Sequence, residues 1–128
     1  MSDASSPFQF EHVHIQARDA KASAQWFADM LGAQIIHGPV RAEARVGGLR
    51  IFIEQAGEGL TPEPDHPHGG LDHIAFHVTD LEAVVAGLKA KGAVFTKDIT
   101  SPRPGLKISF VTGPDGMSIE LLEREPGA

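Results

Sequence analysis

The sequence predicts an α+β fold, two βαβββ repeats forming a half-open mixed-sheet cup with the helices on its outer face. Three observations predict it. Residues 71–80 read LDHIAFHVTD and alternate: Ile74, Phe76 and Val78 fall on one side of an extended strand, His73, Ala75 and His77 on the other. The stretch recurs at residues 10–19, FEHVHIQARD. Setting Glu11-His12-Val13 under Asp72-His73-Ile74 brings Asp19 under Asp80 without a gap, at a constant offset of about 61 residues. Each copy runs into a helix-like segment closed by glycine, Met30-Leu31-Gly32-Ala33 and Ala90-Lys91-Gly92-Ala93.

Repeat one is expected over about 8–55, a connecting loop over 56–70 and repeat two over about 71–122, the whole forming a single domain over 1–128. Residues 1–7 are small and polar and expected to fray. Residues 8–17 form the first strand, and Asp19 caps a helix whose apolar stripe is Trp26, Phe27, Met30 and Leu31, with Trp26 expected in the core. Three short strands follow, Gln34–His37, Arg41–Val46 and Leu49–Gln55, separated by Gly38-Pro39 and Gly47-Gly48. Ala42, Ala44, Val46, Ile51 and Ile53 read as core-facing; Arg41, Glu43, Arg45, Arg50, Phe52 and Glu54 share the opposite face. The loop at 56–70 carries Pro62, Pro64 and Pro67, and its His66 and His68 are expected to be solvated or to lid the cup. In repeat two, residues 71–78 form a strand. Thr79 and Glu82 are spaced as a capping box, and Leu81, Val84, Val85 and Leu88 line one helix face. Strands near 94–99, 107–111 and 117–122 complete the unit, with Gly113-Pro114-Asp115-Gly116 as a turn.

Composition narrows the function. A net charge of −6 argues against nucleic-acid binding, which needs a basic patch. With no cysteine there are no disulfides, thiolate ligands or cysteine nucleophile. The chain has no run of 18 apolar residues, so no membrane span is expected. The N-terminal MSDASSPFQF lacks a basic region followed by an apolar stretch, so no secretion signal is expected and the expected location is cytoplasmic. A chain this small buries its surface incompletely, and a homodimer would help.

His12 and His73 occupy equivalent strand starts facing the cup, and Glu120, alternating against Ile119 and Leu121, faces it too. Two imidazoles and a carboxylate suit one divalent ion: Zn²⁺, Ni²⁺, Mn²⁺, Co²⁺ or Fe²⁺. Glu54 shares the cup face and is a candidate ligand, a base beside the metal or a solvated strand end, and counting from Gly48 and Gly116 puts Phe52 opposite Glu120. His14, His77 and Arg50 are candidate substrate contacts.

Four stretches carry a resemblance: Glu11-His12-Val13, the helix end Trp26-Phe27-x-x-Met30-Leu31-Gly32, Leu71-Asp72-His73-Ile74-Ala75, and Pro114-Asp115-Gly116-x-x-Ile119-Glu120-Leu121. With them the chain resembles the vicinal oxygen chelate superfamily, which includes glyoxalase I, fosfomycin- and bleomycin-resistance proteins, methylmalonyl-CoA epimerase and extradiol dioxygenases. The resemblance implies His12, His73 and Glu120 as ligands. It makes Glu54 the nearest match to the fourth ligand of glyoxalase I, a glutamate that takes part in proton transfer. Fosfomycin-resistance enzymes do without that glutamate, and bleomycin-binding members lack the metal set. Gly113 stands where an aspartate is often found, distal to the ligands. The implied activity is that of a metal-dependent, glyoxalase-like lyase or isomerase. It would chelate a small substrate through two adjacent oxygens and move a proton through an enediolate-type intermediate. The alternatives are an Fe²⁺ ring-cleaving dioxygenase and a drug-binding resistance protein without turnover. Short chains of this superfamily are commonly dimers.

Overall fold

The computed structural model describes residues 5–127. The chain separates into two compact units, Met1–Ala56 and Gly57–Ala128, so the segment expected to join the repeats belongs to the second. The fraying expected at residues 1–7 lies partly outside the described residues; Ser5, Ser6 and Pro7 are exposed.

The first unit runs β1 (Val13–Ala17), α1 (Ala20–Leu31), β2 (Gln34–His37), β3 (Arg41–Val46) and β4 (Leu49–Gln55), in sheet order β1-β4-β3-β2. β1 is parallel to β4, and the other pairs are antiparallel. The helix begins where the Asp19 carboxylate accepts the amide of Ala22 at 3.0 Å, satisfying a first-turn donor. It ends at Gly32, which takes φ of 69°, and the amide of Ala33 returns to the Phe27 carbonyl at 3.1 Å. α1 packs on β3 and β4. Phe27, Ala44, Ile51 and Ile53 are fully buried between helix and sheet. Trp26 is only half-buried, with its ring edge-on to Phe27. β1 starts later than residue 8. Its partner β4 begins at Leu49, after the Gly47-Gly48 turn and two residues before the Val13–Ile51 pair, so residues 8–10 find no ladder, and Phe8 and Phe10 are exposed.

The second unit repeats the plan: β5 (Ile74–His77), α2 (Leu81–Ala90), β6 (Phe95–Arg103), β7 (Leu106–Thr112) and β8 (Ser118–Arg124), in order β5-β8-β7-β6. α2 packs on β7 and β8, burying Leu81, Val85 and Leu88 with Val111, Ile119 and Leu121. β6 extends beyond the expected strand, to Arg103, and pairs with β7 through several register shifts.

The capping box expected from Thr79 and Glu82 is not the cap. Asp80 accepts the amide of Ala83 at 3.2 Å, just as Asp19 does in the first unit, and Glu82 pairs instead with Lys107. The Glu123 carboxylate accepts the amides of Leu81 and Asp80 at 2.9 and 3.3 Å. Those amides, Leu81 foremost, hold the Glu123 carboxyl below its usual range. The Gly113–Gly116 turn forms as expected, a single 3₁₀ turn at Pro114–Gly116 with Asp115 at φ of 57°.

Candidate functional site

In both units the helix covers one sheet face and the opposite face carries the polar groups. Alternation alone produces this division: in β4, Ile51 and Ile53 are buried while Arg50, Phe52 and Glu54 are half-exposed.

The first unit gathers His12, His14, Phe52 and Glu54. His12 stacks on the Phe52 ring, centroids 4.0 Å apart, and His14 meets the same ring edge-on at 6.1 Å. The His12 Nδ1–H donates to Glu11 Oε1 at 2.8 Å, which leaves Nε2 as the nitrogen available to an ion. His14 Nε2 lies 2.9 Å from Glu54 Oε1. Arg50 was a candidate substrate contact, but its guanidinium is engaged by Glu11 and Glu43. It therefore holds the carboxylate that orients His12. Glu43, which has no role in the sequence reading, pairs with Arg50 and Arg45, and those guanidiniums pull its pKa from 4.5 to about 2. Arg41 lies over the face of Phe52 at 4.6 Å. A cleft of about 350 Å³ opens beside Arg41, Glu43 and Phe52.

The second unit joins His73 to Glu120. His73 Nδ1–H donates to Asp72 Oδ2 at 2.7 Å, and Nε2 lies 2.9 Å from Glu120 Oε1. Phe110 stands edge-on to the imidazole at 5.1 Å. Asp72 first, and Glu120 after it, raise the His73 pKa against the opposing effect of burial. His77 is not part of this group: at the far end of β5, its Nε2 accepts the amide of Arg124 at 3.4 Å. A cleft of about 340 Å³ borders His66, Asp72, Lys97 and Phe110.

The register relates the two units residue by residue. Val13 pairs with Ile51 as Ile74 pairs with Ile119, so Phe52 is the positional equivalent of Glu120, and Glu54 lies two residues further along the same face. Across the neighbouring strand, Glu43 opposes Phe52 while Phe110 opposes Glu120. The aromatic ring and the carboxylate have exchanged strands, and in each unit the ring packs against the first histidine. The expectation of Glu54 as a ligand equivalent to Glu120 therefore meets a register offset.

Within each unit the histidine has the surroundings of a metal ligand. A histidine that binds metal through one nitrogen commonly gives its other N–H to a carboxylate, which fixes ring orientation and raises basicity. His12 with Glu11 and His73 with Asp72 both show this arrangement, and Glu120 supplies an anionic oxygen beside His73.

Comparison with known proteins agrees with the fold and its repeat. The chain is 32% identical to YaeR of Escherichia coli (strain K12), itself uncharacterized, over 91% of this chain and 96% of that protein. It is 25% identical to the lactoylglutathione lyase of Haemophilus influenzae, over 91% and 93% of the two chains. Among solved structures, a glyoxylase/bleomycin resistance protein/dioxygenase domain from Frankia sp. EAN1pec superposes with a TM-score of 0.77 at 27% identity, covering 96% of each chain. The sequence model of the Glyoxalase/Bleomycin resistance protein/Dioxygenase superfamily matches residues 9–121, and the chain belongs to that superfamily.

Proposed function

We propose that the protein is a metal-dependent lyase or isomerase acting on a small substrate with two adjacent oxygens. His12 and His73 bind the ion through Nε2, and Glu120 binds it through its carboxylate. The observation that carries this reading is the repeated pair, Glu11 with His12 and Asp72 with His73, in which each Nδ1–H is given to the preceding carboxylate. When bound, the ion supplies Lewis-acid stabilisation of negative charge on the two substrate oxygens.

The chain's own residues do the rest. Glu54 takes the proton from the carbon next to the polarised carbonyl and returns it to the neighbouring position. Its bond to His14 aims the carboxylate and stabilises its charge. Because Phe52 occupies the position equivalent to Glu120, Glu54 enters this reading as the proton-transfer group, leaving three protein ligands. Arg50 acts through Glu11 on His12. Phe52 and Phe110 wall the histidines and limit water.

The same two histidines and one carboxylate would also suit Fe²⁺, which makes a dioxygenase the second reading. Metal analysis of the purified protein, followed by an activity panel with Ni²⁺, Zn²⁺, Mn²⁺ and Fe²⁺, tests both. Oxygen uptake confined to the Fe²⁺ form selects the dioxygenase, and tight ligand binding indifferent to chelator selects a drug-binding protein. His73→Ala is expected to lose the ion held by this set; full retention of that ion at unchanged affinity would sink the assignment.

A further inference from the structure

The connecting segment holds a second group of ligand-type side chains, separate from the His12, His73 and Glu120 set. Glu63, His66 and His68 each present one ligand atom, and these atoms all lie within 4.8 Å of one another. Solvation, the expectation for two histidines in a proline-rich loop, holds for His66, which is exposed, and fails for His68. His68 is half-buried, and its Nε2 is buried without a hydrogen-bond partner. Its Nδ1–H donates to the Gly69 carbonyl oxygen at 2.9 Å, which makes Nε2 the nitrogen with the free lone pair. A buried lone pair that meets no donor costs free energy, and an arriving cation recovers it.

His66 is set up in the same manner. Its Nδ1 lies 3.3 Å from Asp72 Oδ1, and its Nε2 lies 3.5 Å from Glu63 Oε2. Both rings thus have Nδ1 on an oxygen, the arrangement that outer hydrogen bonds impose on metal-binding histidines, with Nε2 beside Glu63 in His66 and unpartnered in His68. The two rings are 4.8 Å apart, centroid to centroid. The Glu63 carboxylate sits close over Gly116: a Cβ there would come within 3.3 Å of Glu63 Oε2.

We propose that Glu63, His66 and His68 form a second divalent-cation site in the connecting segment. Two neutral imidazoles and one carboxylate suit a borderline ion of the Zn²⁺, Ni²⁺ or Co²⁺ type, with the remaining coordination completed by water. The site touches the first set through one residue, since Asp72 receives His66 on one oxygen and His73 on the other.

The test counts Zn²⁺ on the intact, chelator-stripped protein by equilibrium dialysis with elemental analysis, while ring-nitrogen NMR follows the histidines. Wild type is expected to bind two ions, and His68→Gln and Glu63→Gln one each. Glu63 is partly exposed, so its substitution spares the fold. Affinity for the lost ion should fall at least about tenfold. His73→Ala keeps the loop ion, and the Nε2 resonances of His66 and His68 still move on adding Zn²⁺. One ion in wild type, lost in His68→Gln and kept in His73→Ala, supports this site and sinks the ligand set proposed above. Zn²⁺ stoichiometry and affinity unchanged in both loop variants, or ring resonances of His66 and His68 that stay still, overturns the proposal.

Discussion

Glu54 and Glu43 are carboxylates on the same polar sheet face, and their partners give them different chemistry. Glu43 lies between two guanidiniums and is held ionised to about pH 2, a permanent anion unsuited to taking a proton near neutrality. Glu54 meets the His14 imidazole and is about 38% exposed, open to exchange with substrate. Glu54→Gln keeps size and one acceptor oxygen but removes basicity. Turnover is expected to fall roughly 10²- to 10⁴-fold, with metal affinity changing far less than in His73→Ala, as steady-state kinetics beside a metal titration will show. A rate within a few-fold of wild type would remove Glu54 from the mechanism. For Glu43 the pH sign is fixed by its depressed pKa. It contributes stability above the unfolded value near 4.5, and that contribution fades as pH falls toward about 2. Thermal melts across this window should therefore show a shallower acid loss in Glu43→Gln than in wild type. Glu43 was readable only as a face position: Arg45 follows it on the same face of β3, but Arg50 lies on β4 and reaches it only through the pairing of the two strands. His68 was misjudged for a related reason: proline-rich composition predicts exposure, whereas the burial of Nε2 depends on packing.

At the scale of the element, the internal repeat was the strongest signal in the chain. It placed Asp19 under Asp80 in sequence, and the structure gives both the same task at a helix start. The capping-box pattern at Thr79 competed with that signal and lost. Asp80 adopts the left-handed conformation at φ of 55°, and its side chain reaches the first-turn amide itself. Asp80→Ala is accordingly expected to cost about 1 kcal/mol in denaturant unfolding, and Thr79→Ala only a few tenths. Equal losses would return the cap to Thr79. Strand starts were the poorest part of the sequence reading. Apolar residues such as Phe8 and Leu71 extend the pattern past the point where a hydrogen-bonding partner exists, and both are exposed. The register offset between Glu54 and Glu120 was already legible by counting from the glycines, since a turn anchors the pairing that follows it.

For the molecule as a whole, the two-repeat plan was legible because each unit is specified locally, by one alternating strand, one capped helix and three turns. The extent of each unit was less so: the connecting segment groups with the second unit, a matter of contacts that composition does not encode. Whether the chain works alone is also a question at this scale. We expect a homodimer, since a 128-residue chain buries a limited fraction of its surface and Phe8, Phe10, Val40 and Leu71 are left exposed. Light scattering at micromolar concentration is the check, and a strictly monomeric mass with metal and activity intact would refute it.

The bond from Glu123 to the start of α2 has a consequence for how the second unit breathes. Glu120 and Glu123 lie on one strand, and the amides of Leu81 and Asp80 are held by its far end. That strand cannot leave its ladder without also uncapping the helix, so both belong to one cooperative unit and exchange their amide protons through a shared, high-energy opening. The segment carrying Glu63, His66 and His68 has no ladder bonds and opens separately, at lower cost. The carboxylate beside His73 is thereby kept in a slow part of the molecule, while the loop histidines sample solvent on a faster clock.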